Sequence, residues 1–520
     1  MNSLVQNAPR HPLLVSGSVM LASLLYSIDW TIAAVALPHM QGTFSATQDQ
    51  VAWVITSYIV ASAIMIPTSG WLSTRFGRKR VFVCAVAGFT LASVLCATAQ
   101  SLPFEVMARI LQGISGAFII PLSLSIILDT FPPEQHAKAM AYWGIGSVCG
   151  AVMGPTLGGY LTEYLSWRYI FYINVPFGLV ALLGVVLFLP ETERDPDKKL
   201  DWFGFISLAV GIGALQMMLD RGQRLDWFES GEIVFEACLA AISLYAFNVH
   251  VLTHREPFLD PRLFAQKNFF VALMLISFYG LLTVPPMVLM PTFLEHLRGY
   301  SIDTVGLLQS PRGVGILLAL FISGRISGMV DPRILIAFGL LCVGVSTGAM
   351  SQWNADVPEW PIIWTGFIQG IGAGIILVPV QMCAFSLLPP NQRNEGTAVF
   401  NLVRTMFSSI GVSITLAVFV YVGATGRSEL VEHITPFNQA LQYANPSGNY
   451  SADSGQGLAL IGREIDRQAA MLGYNASFLL IAIGAFLAMP LVFLIRRAKP
   501  GTPAREREEF EKSEPFMIAE

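Results

Sequence analysis

Two ionisable side chains stand where so apolar a chain tolerates them least. Asp29 lies about two-thirds of the way along an apolar block from Leu13 to Leu37, and Arg109 lies within another, from Glu105 to Leu128. A carboxyl group at membrane depth costs about 2.5–3.5 kcal/mol on insertion scales, so its presence there points to function. Burial favours the neutral form of a carboxylate and a nearby cation favours the charged form. A group held between those pulls can take up a proton on one side of a membrane and release it on the other. Asp29 therefore reads as a site for a proton or a cationic substrate, against the alternative of a structural carboxylate capping a broken helix. Arg109 is a permanent charge, suited to coupling with such a carboxylate or to packing on carbonyls of the first helix.

A second polar set lies far along the chain. Asn401 and Arg404 are three apart, hence on one helical face. That face either lines a cleft or ties neighbouring helices together. Tyr26 and Trp30 flank Asp29, and Phe400 and Phe407 flank Asn401 and Arg404. With Gln112 and Gln369 these form the candidate substrate cleft, each ring also serving as packing. Arg312, beside Pro311, reads as a proline break or a cleft residue, and Glu295 as a charge at a span mouth. No Gly-Lys dipeptide occurs, so no ATP-binding loop of the Walker type is present, and neither H-E-x-x-H nor G-x-S-x-G appears. The six cysteines all fall in apolar blocks without metal-ligand spacing. No enzyme, cofactor or metal is expected, and the energy source must be an ion gradient.

The elements that position these residues are membrane spans. Of 520 residues, 54% are hydrophobic and 13% charged, against about 25% charged in soluble proteins. That excludes a soluble enzyme, a disordered chain and a secreted disulfide scaffold, and the net charge of −4 gives no reason to expect nucleic acid. Fourteen apolar blocks lie near 13–37, 51–72, 81–99, 105–128, 139–163, 169–189, 202–220, 234–253, 268–293, 304–325, 333–350, 359–386, 397–423 and 475–496. The first is too long for a signal-peptide core and lacks a small-x-small cleavage site. Twenty-one of the 31 Lys and Arg fall on the N-terminal side of these spans and seven on the other. The positive-inside rule then places both termini in the cytoplasm.

An internal repeat organises the spans. Gln112-Gly113 in the fourth pairs with Gln369-Gly370 in the twelfth at an offset of 257, and Pro132-Pro133 after the fourth pairs with Pro389-Pro390 at the same offset. The plan is six spans (1–190), two inserted spans with linkers (191–265), and six more (266–497). Within the last unit an external loop runs over about 424–474, and a mixed-charge cytoplasmic tail fills 498–520. Leu458, Ile461, Ile465 and Leu472 in that loop have helical spacing. Parallel halves of this kind are the plan of a secondary transporter with its site between the halves. Gly146, Gly150, Gly154 and Gly158 recur every four residues in the fifth span, a stripe on which another backbone can approach closely.

These segments resemble the motifs of the major facilitator superfamily, and within it the 14-span drug:proton antiporters of the EmrB/QacA type. The loop Gly70-Trp-Leu-Ser-Thr-Arg75-Phe-Gly77-Arg78-Lys-Arg80 is similar to the family's loop between the second and third spans. Arg109, Gln112 and Gly113 match its R-x-x-Q-G motif. Gly150, Gly154, Pro155, Gly158 and Gly159 match its antiporter motif, and the run from Leu25 through Asp29 to Pro38 its first-span motif. Trp167-Arg168-Tyr-Ile-Phe171-Tyr-Ile-Asn174-Val-Pro176 and Leu200-Asp201-Trp-Phe-Gly204 fit its segments around the sixth and seventh spans, and Leu219-Asp220-Arg221-Gly222 leans to the Emr branch. The resemblance covers essentially the whole chain. It implies an all-α polytopic membrane protein with a 6+2+6 major facilitator fold, exporting hydrophobic or amphipathic toxic compounds by proton antiport across a bacterial inner membrane. It further implies proton coupling through Asp29 and Arg109, and partnership with a periplasmic adaptor protein and an outer-membrane channel. A dedicated exporter of one metabolite, such as a siderophore or aromatic acid, and a non-transporting sensor are the alternatives. Two departures stand out: Thr74 replaces the usual Asp of the second loop, and Ala34 replaces the usual Asn of the first span. The first leaves the loop's latch to arginines, helix ends and backbone groups; the second implies a narrower or drier part of the site.

Overall fold

Runs of apolar residues longer than about 20 can cross a bilayer only as helices, because every backbone amide must then find its partner within the segment. A computed structural model of the chain describes residues 11–192, 194–254, 257–385, 388–389, 392–434 and 455–495, with backbone alone at 48, 49, 155, 302 and 303. Among the described residues there is no strand. Among the described residues twelve helices are long and apolar enough to span, and the second block makes a thirteenth as two helices, Gln48–Met65 and Thr68–Phe76, bent by 58°. The fifth is the 29-residue helix His136–Tyr164. It is clasped between two others: Gly146, Gly150, Gly154 and Gly158 face the first span, Pro12–Phe44, and Gly144 faces Leu320 of the tenth, Ile302–Ile326. Each expected block thus has helix within it, with most ends shifted by a few residues and the last two spans extended much further.

The sequence repeat is also a packing repeat. A Cβ on Gly113 of the fourth span would lie 2.5 Å from the carbonyl oxygen of Tyr58 in the second. A Cβ on Gly370 of the twelfth would lie 2.1 Å from that of Arg312 in the tenth. The same notch therefore seats corresponding helix pairs in both halves.

The inserted spans, Trp202–Arg221 and Gly231–Thr253, form a hairpin clipped at both ends. Arg221 pairs with Glu232 at 2.7 Å and Glu236 at 3.2 Å. At the other end Asp201 caps its helix on the Gly204 amide and pairs with His250 at 2.9 Å. The hairpin joins the halves: Thr56 of the second span donates to Asp220, and Gln216 donates to Ser409 of the thirteenth at 3.0 Å.

The thirteenth span runs on to Glu432, 40 residues in all. That is about 60 Å of helix, twice the hydrocarbon thickness. The last span starts early, at Gly455. The segment expected as an external loop thus leaves and returns as paired helices, Arg427 donating to Asp466 at 2.7 Å and Leu472 seated on Gly426. Of its expected stripe, Ile461 is buried while Leu458 and Leu472 stay exposed. Residues 435–454 and the tail 498–520 lie outside the described residues.

Candidate functional site

Asp29 and Arg109 meet. Both are fully buried, and Arg109 Nη1 donates to Asp29 Oδ2 at 2.9 Å. The other carboxylate oxygen, Oδ1, accepts from Gln112 Nε2 and from Asn174 Nδ2, each at 2.8 Å. Both amides also donate to Ser93 Oγ, at 2.8 and 3.3 Å. Arg109 Nη1 further donates to Gln112 Oε1 at 2.6 Å, and Nε donates to the Val54 carbonyl at 3.1 Å. Its guanidinium carbon lies 4.6 Å from the Tyr58 ring centre and 5.3 Å from that of Phe171. The first, second, third, fourth and sixth spans all contribute, and every one belongs to the N-terminal half. A charge pair this dry survives only with such satisfaction, since losing one partner leaves an uncompensated buried ion.

Gln112 therefore belongs to this network and not to a cleft wall, a correction to its expected place. Its repeat partner Gln369 is likewise buried, and its Nε2 makes no hydrogen bond. Gly366, the counterpart of Arg109, carries no charge, so the site is one-sided. Phe400 is also no cleft contact here: it is buried edge-on against Phe385 at 5.2 Å. Asn401 turns back on its own helix, donating to the Thr397 carbonyl at 2.8 Å. Trp30 is exposed and Phe407 half-buried. Ala34 is exposed, so it neither narrows nor dries the Asp29 network.

Between the halves lies a different surface. Tyr26, Tyr279, Arg312 and Arg404 are each partly accessible although deep within the bundle. Tyr26 of the first half and Tyr279 of the second both lie within electrostatic reach of Arg404. Arg312 donates to the Thr283 carbonyl at 2.5 Å and its Nε is unpartnered. Neither arginine has a carboxylate within ion-pair distance among the described residues. The Asp29 charge is already cancelled by Arg109, so this inter-half wall is net positive.

At the face carrying Gly77, where the second and third blocks meet, the halves are latched. The carboxylate missing at Thr74 comes from Asp129, at the end of the fourth span, which takes Arg78 of its own half and Arg393 of the other, the latter at 2.6 Å. Ser125 donates to Asn394 across the same seam. Gly70 brings its backbone against Glu395, where a Cβ would lie 3.0 Å from that residue's Cα. Gly77 has φ of +90°, a conformation that favours glycine, and Arg75 donates to the Lys198 carbonyl at 2.6 Å. Further along the first span, a Cβ on Gly150 would come within 2.5 Å of the Leu24 carbonyl oxygen, and one on Gly154 against Thr31. Gly159 is half-buried, and the side chain of Pro155 lies outside the described residues.

Sequence reading missed Asn174, Ser93 and Asp129, and also Glu105. Asn174 was visible as an amide inside an apolar block, and Asp129 as an acid just past the end of the fourth. Glu105 stood at the block's first residue and drew no reading of its own. It is fully buried, one helical turn before Arg109, and neither carboxyl oxygen makes a hydrogen bond of good geometry.

A two-fold repeated helical bundle, latched at one face and holding a buried ion pair in one half, is the construction of a membrane transporter. The chain belongs to the major facilitator superfamily: the profile described as "Major Facilitator Superfamily" matches residues 19–412. It is 33% identical over 497 residues to "Multidrug export protein EmrB" of Haemophilus influenzae, covering 94% of this chain and 96% of that one. It is 34% identical to "Fatty acid resistance protein FarB" of Neisseria gonorrhoeae, with 94% and 96% covered, and 33% identical to EmrB of Escherichia coli K12, with 92% and 94% covered. The solved proton:xylose symporter XylE is 15% identical and superposes with a TM-score of 0.64 over 96% of this chain and 99% of its own. The all-α major facilitator fold follows, in the branch of the Emr-type export proteins.

Proposed function

We propose that the protein exports amphipathic toxic compounds against a counterflow of protons, by alternating access, in the cytoplasmic membrane of a bacterium with both termini inside. The observation that carries this is the buried Asp29–Arg109 pair. Asp29 is the proton carrier, because it is a fully buried carboxylate paired with a fixed cation in a network built from five spans. Protonating it cancels the charge that holds the first span to the fourth, and that release lets the halves rock. The halves 1–190 and 266–497 are the moving bodies, with 191–265 as the bridge between them. The relatives' printed names, multidrug export and fatty acid resistance, agree with this reading.

The unpaired Arg312 and Arg404, with Tyr26 and Tyr279, favour amphiphiles that carry a negative head, such as aromatic or aliphatic acids. That observation also supports the narrower reading, an exporter dedicated to one such acid. The paired helical extensions beyond Gly423 and before Asn475 give a periplasmic adaptor protein a rigid surface to grip, with an outer-membrane channel beyond it.

The test is transport by purified protein in proteoliposomes with an internal pH dye and an imposed pH gradient. The probes are the sulfonate 8-anilinonaphthalene-1-sulfonate, which carries no proton of its own, and ethidium. The expected result is probe-dependent proton movement that disappears in Asp29→Asn and in Arg109→Ala. Probe flux without proton movement, or unchanged antiport in Asp29→Asn, would overturn the mechanism.

A further inference from the structure

Glu105 is a buried titratable group that the exchange described above does not use. Its carboxyl group is fully buried at the first turn of the fourth span and has no well-formed hydrogen bond. An ionised carboxylate in such a place would be prohibitively costly, whereas a neutral acid is tolerated. Glu105 and Arg109 are four apart on one helix, the spacing and order at which a glutamate and a basic residue meet. Pro103 and Val106, on either side of Glu105, line a cavity of about 540 Å³. That cavity opens at the face opposite the latch, with Thr43, Gln50, Trp53 and Ser101 among its walls. The charged and titratable groups facing Glu105 are Arg109 on its own helix, Asp29 on the first span, Cys96 on the third and Arg168 after the fifth. Tyr58 completes the set from the second span, under the Arg109 guanidinium.

We infer that Glu105 and Asp29 share one proton across Arg109, and that Glu105 is the station through which protons reach Asp29 from the cavity opposite the latch. In the state seen here Glu105 holds the proton and Arg109 pairs with Asp29. Transfer breaks the O–H bond on Glu105 and forms one on Asp29. The guanidinium then exchanges partners, from the Asp29 carboxylate to the Glu105 carboxylate one turn away. Before and after, the site contains one cation, one carboxylate and one carboxylic acid, so its net charge in the dry interior is unchanged. What changes is mechanical: an ion pair between two helices becomes one within a single helix, and the first span is released from the fourth. Once Asp29 has given up its proton on the other side, a hydronium ion arriving through the cavity reprotonates Glu105 and the starting arrangement returns.

This inference rests on proton coupling at Asp29, and the test separates the two. Infrared difference spectra between the wild type and Glu105→Gln should show the carbonyl band of a protonated carboxylic acid, shifted by deuteration, in the wild type only. In proteoliposomes, proton movement driven by 8-anilinonaphthalene-1-sulfonate should be lost in Glu105→Gln and partly restored in Glu105→Asp. Monodisperse elution and an unchanged circular dichroism spectrum would show that the variant is folded. If the wild type antiports and Glu105→Gln antiports equally well, or if the acid band persists in Glu105→Gln, the relay is wrong while coupling at Asp29 stands. A wild type that moves no protons with any probe would instead remove the coupling reading itself.

Discussion

Removing one charge of the Asp29–Arg109 pair should be worse than removing both. In Asp29→Asn the Arg109 guanidinium stays in a site with 1% exposure, without a counter-ion. Stripping one partner from a buried pair costs about 3–5 kcal/mol. Part of that is offset, because Gln112 Oε1 and the Val54 carbonyl still accept from the guanidinium. The rings of Tyr58 and Phe171 add about 0.5–2 kcal/mol of cation–π attraction. The loss in Asp29→Asn should therefore lie near the lower end, about 3 kcal/mol. In Arg109→Gln the orphan is Asp29, which keeps the Gln112 and Asn174 amides. The double variant Asp29→Asn/Arg109→Gln removes both ions and leaves amides able to bond one another. Melting in detergent, followed by tryptophan fluorescence, reads all four proteins. The double variant should recover most of the loss, a coupling energy of about 2–3 kcal/mol. Strictly additive losses, or an Asp29→Asn protein as stable as the wild type, would refute the reasoning.

The remaining expectations concern packing, the latch and the inter-half wall. Gly150→Val places carbon against the Leu24 carbonyl, where a backbone atom at 2.5 Å cannot yield. Overpacking of that kind costs about 1–3 kcal/mol, so the yield of monodisperse protein should fall, while Gly17→Ala, with open space around it, should behave as wild type. Asp129→Asn removes the carboxylate shared by Arg78 and Arg393. Spin labels at Glu134 and Gln392, in a background without the exposed Cys84 and Cys238, should then report a longer distance at the latched face. An unchanged distance would show that Gly70 on Glu395 and Ser125 on Asn394 suffice. Arg404→Gln should weaken binding of 8-anilinonaphthalene-1-sulfonate, read by its fluorescence, and leave ethidium binding unaffected or improved; equal loss for both would deny the wall its charge selectivity.

Most of the fold was legible because the membrane leaves the chain few choices. Apolar length sets each helix, and the 257-residue offset sets which helices correspond. The site was legible at Asp29 and Arg109 because a charge inside an apolar block is conspicuous. Its completing residues were less so. Asn174 and Ser93 are ordinary polar residues until helix rotation turns them onto one oxygen. Gln112 looked like a cleft residue because spacing fixes a face but not what that face meets. Glu105 was hidden by its position at a span end, where exposure is the usual state. Asp129 was hidden because the latch is completed by Arg393, some 264 residues away in sequence. The extent of the thirteenth helix was obscured because hydropathy falls at the membrane boundary while the helix continues.

The central claim is that Asp29 binds the proton that the exported compound displaces. The most direct measurement adds 8-anilinonaphthalene-1-sulfonate to purified protein in weakly buffered detergent and records proton release with a pH indicator, alongside Asp29→Asn. The account predicts release from the wild type and none from Asp29→Asn although that variant still binds the probe. Equal proton release from both proteins would place the coupling group elsewhere and contradict the account.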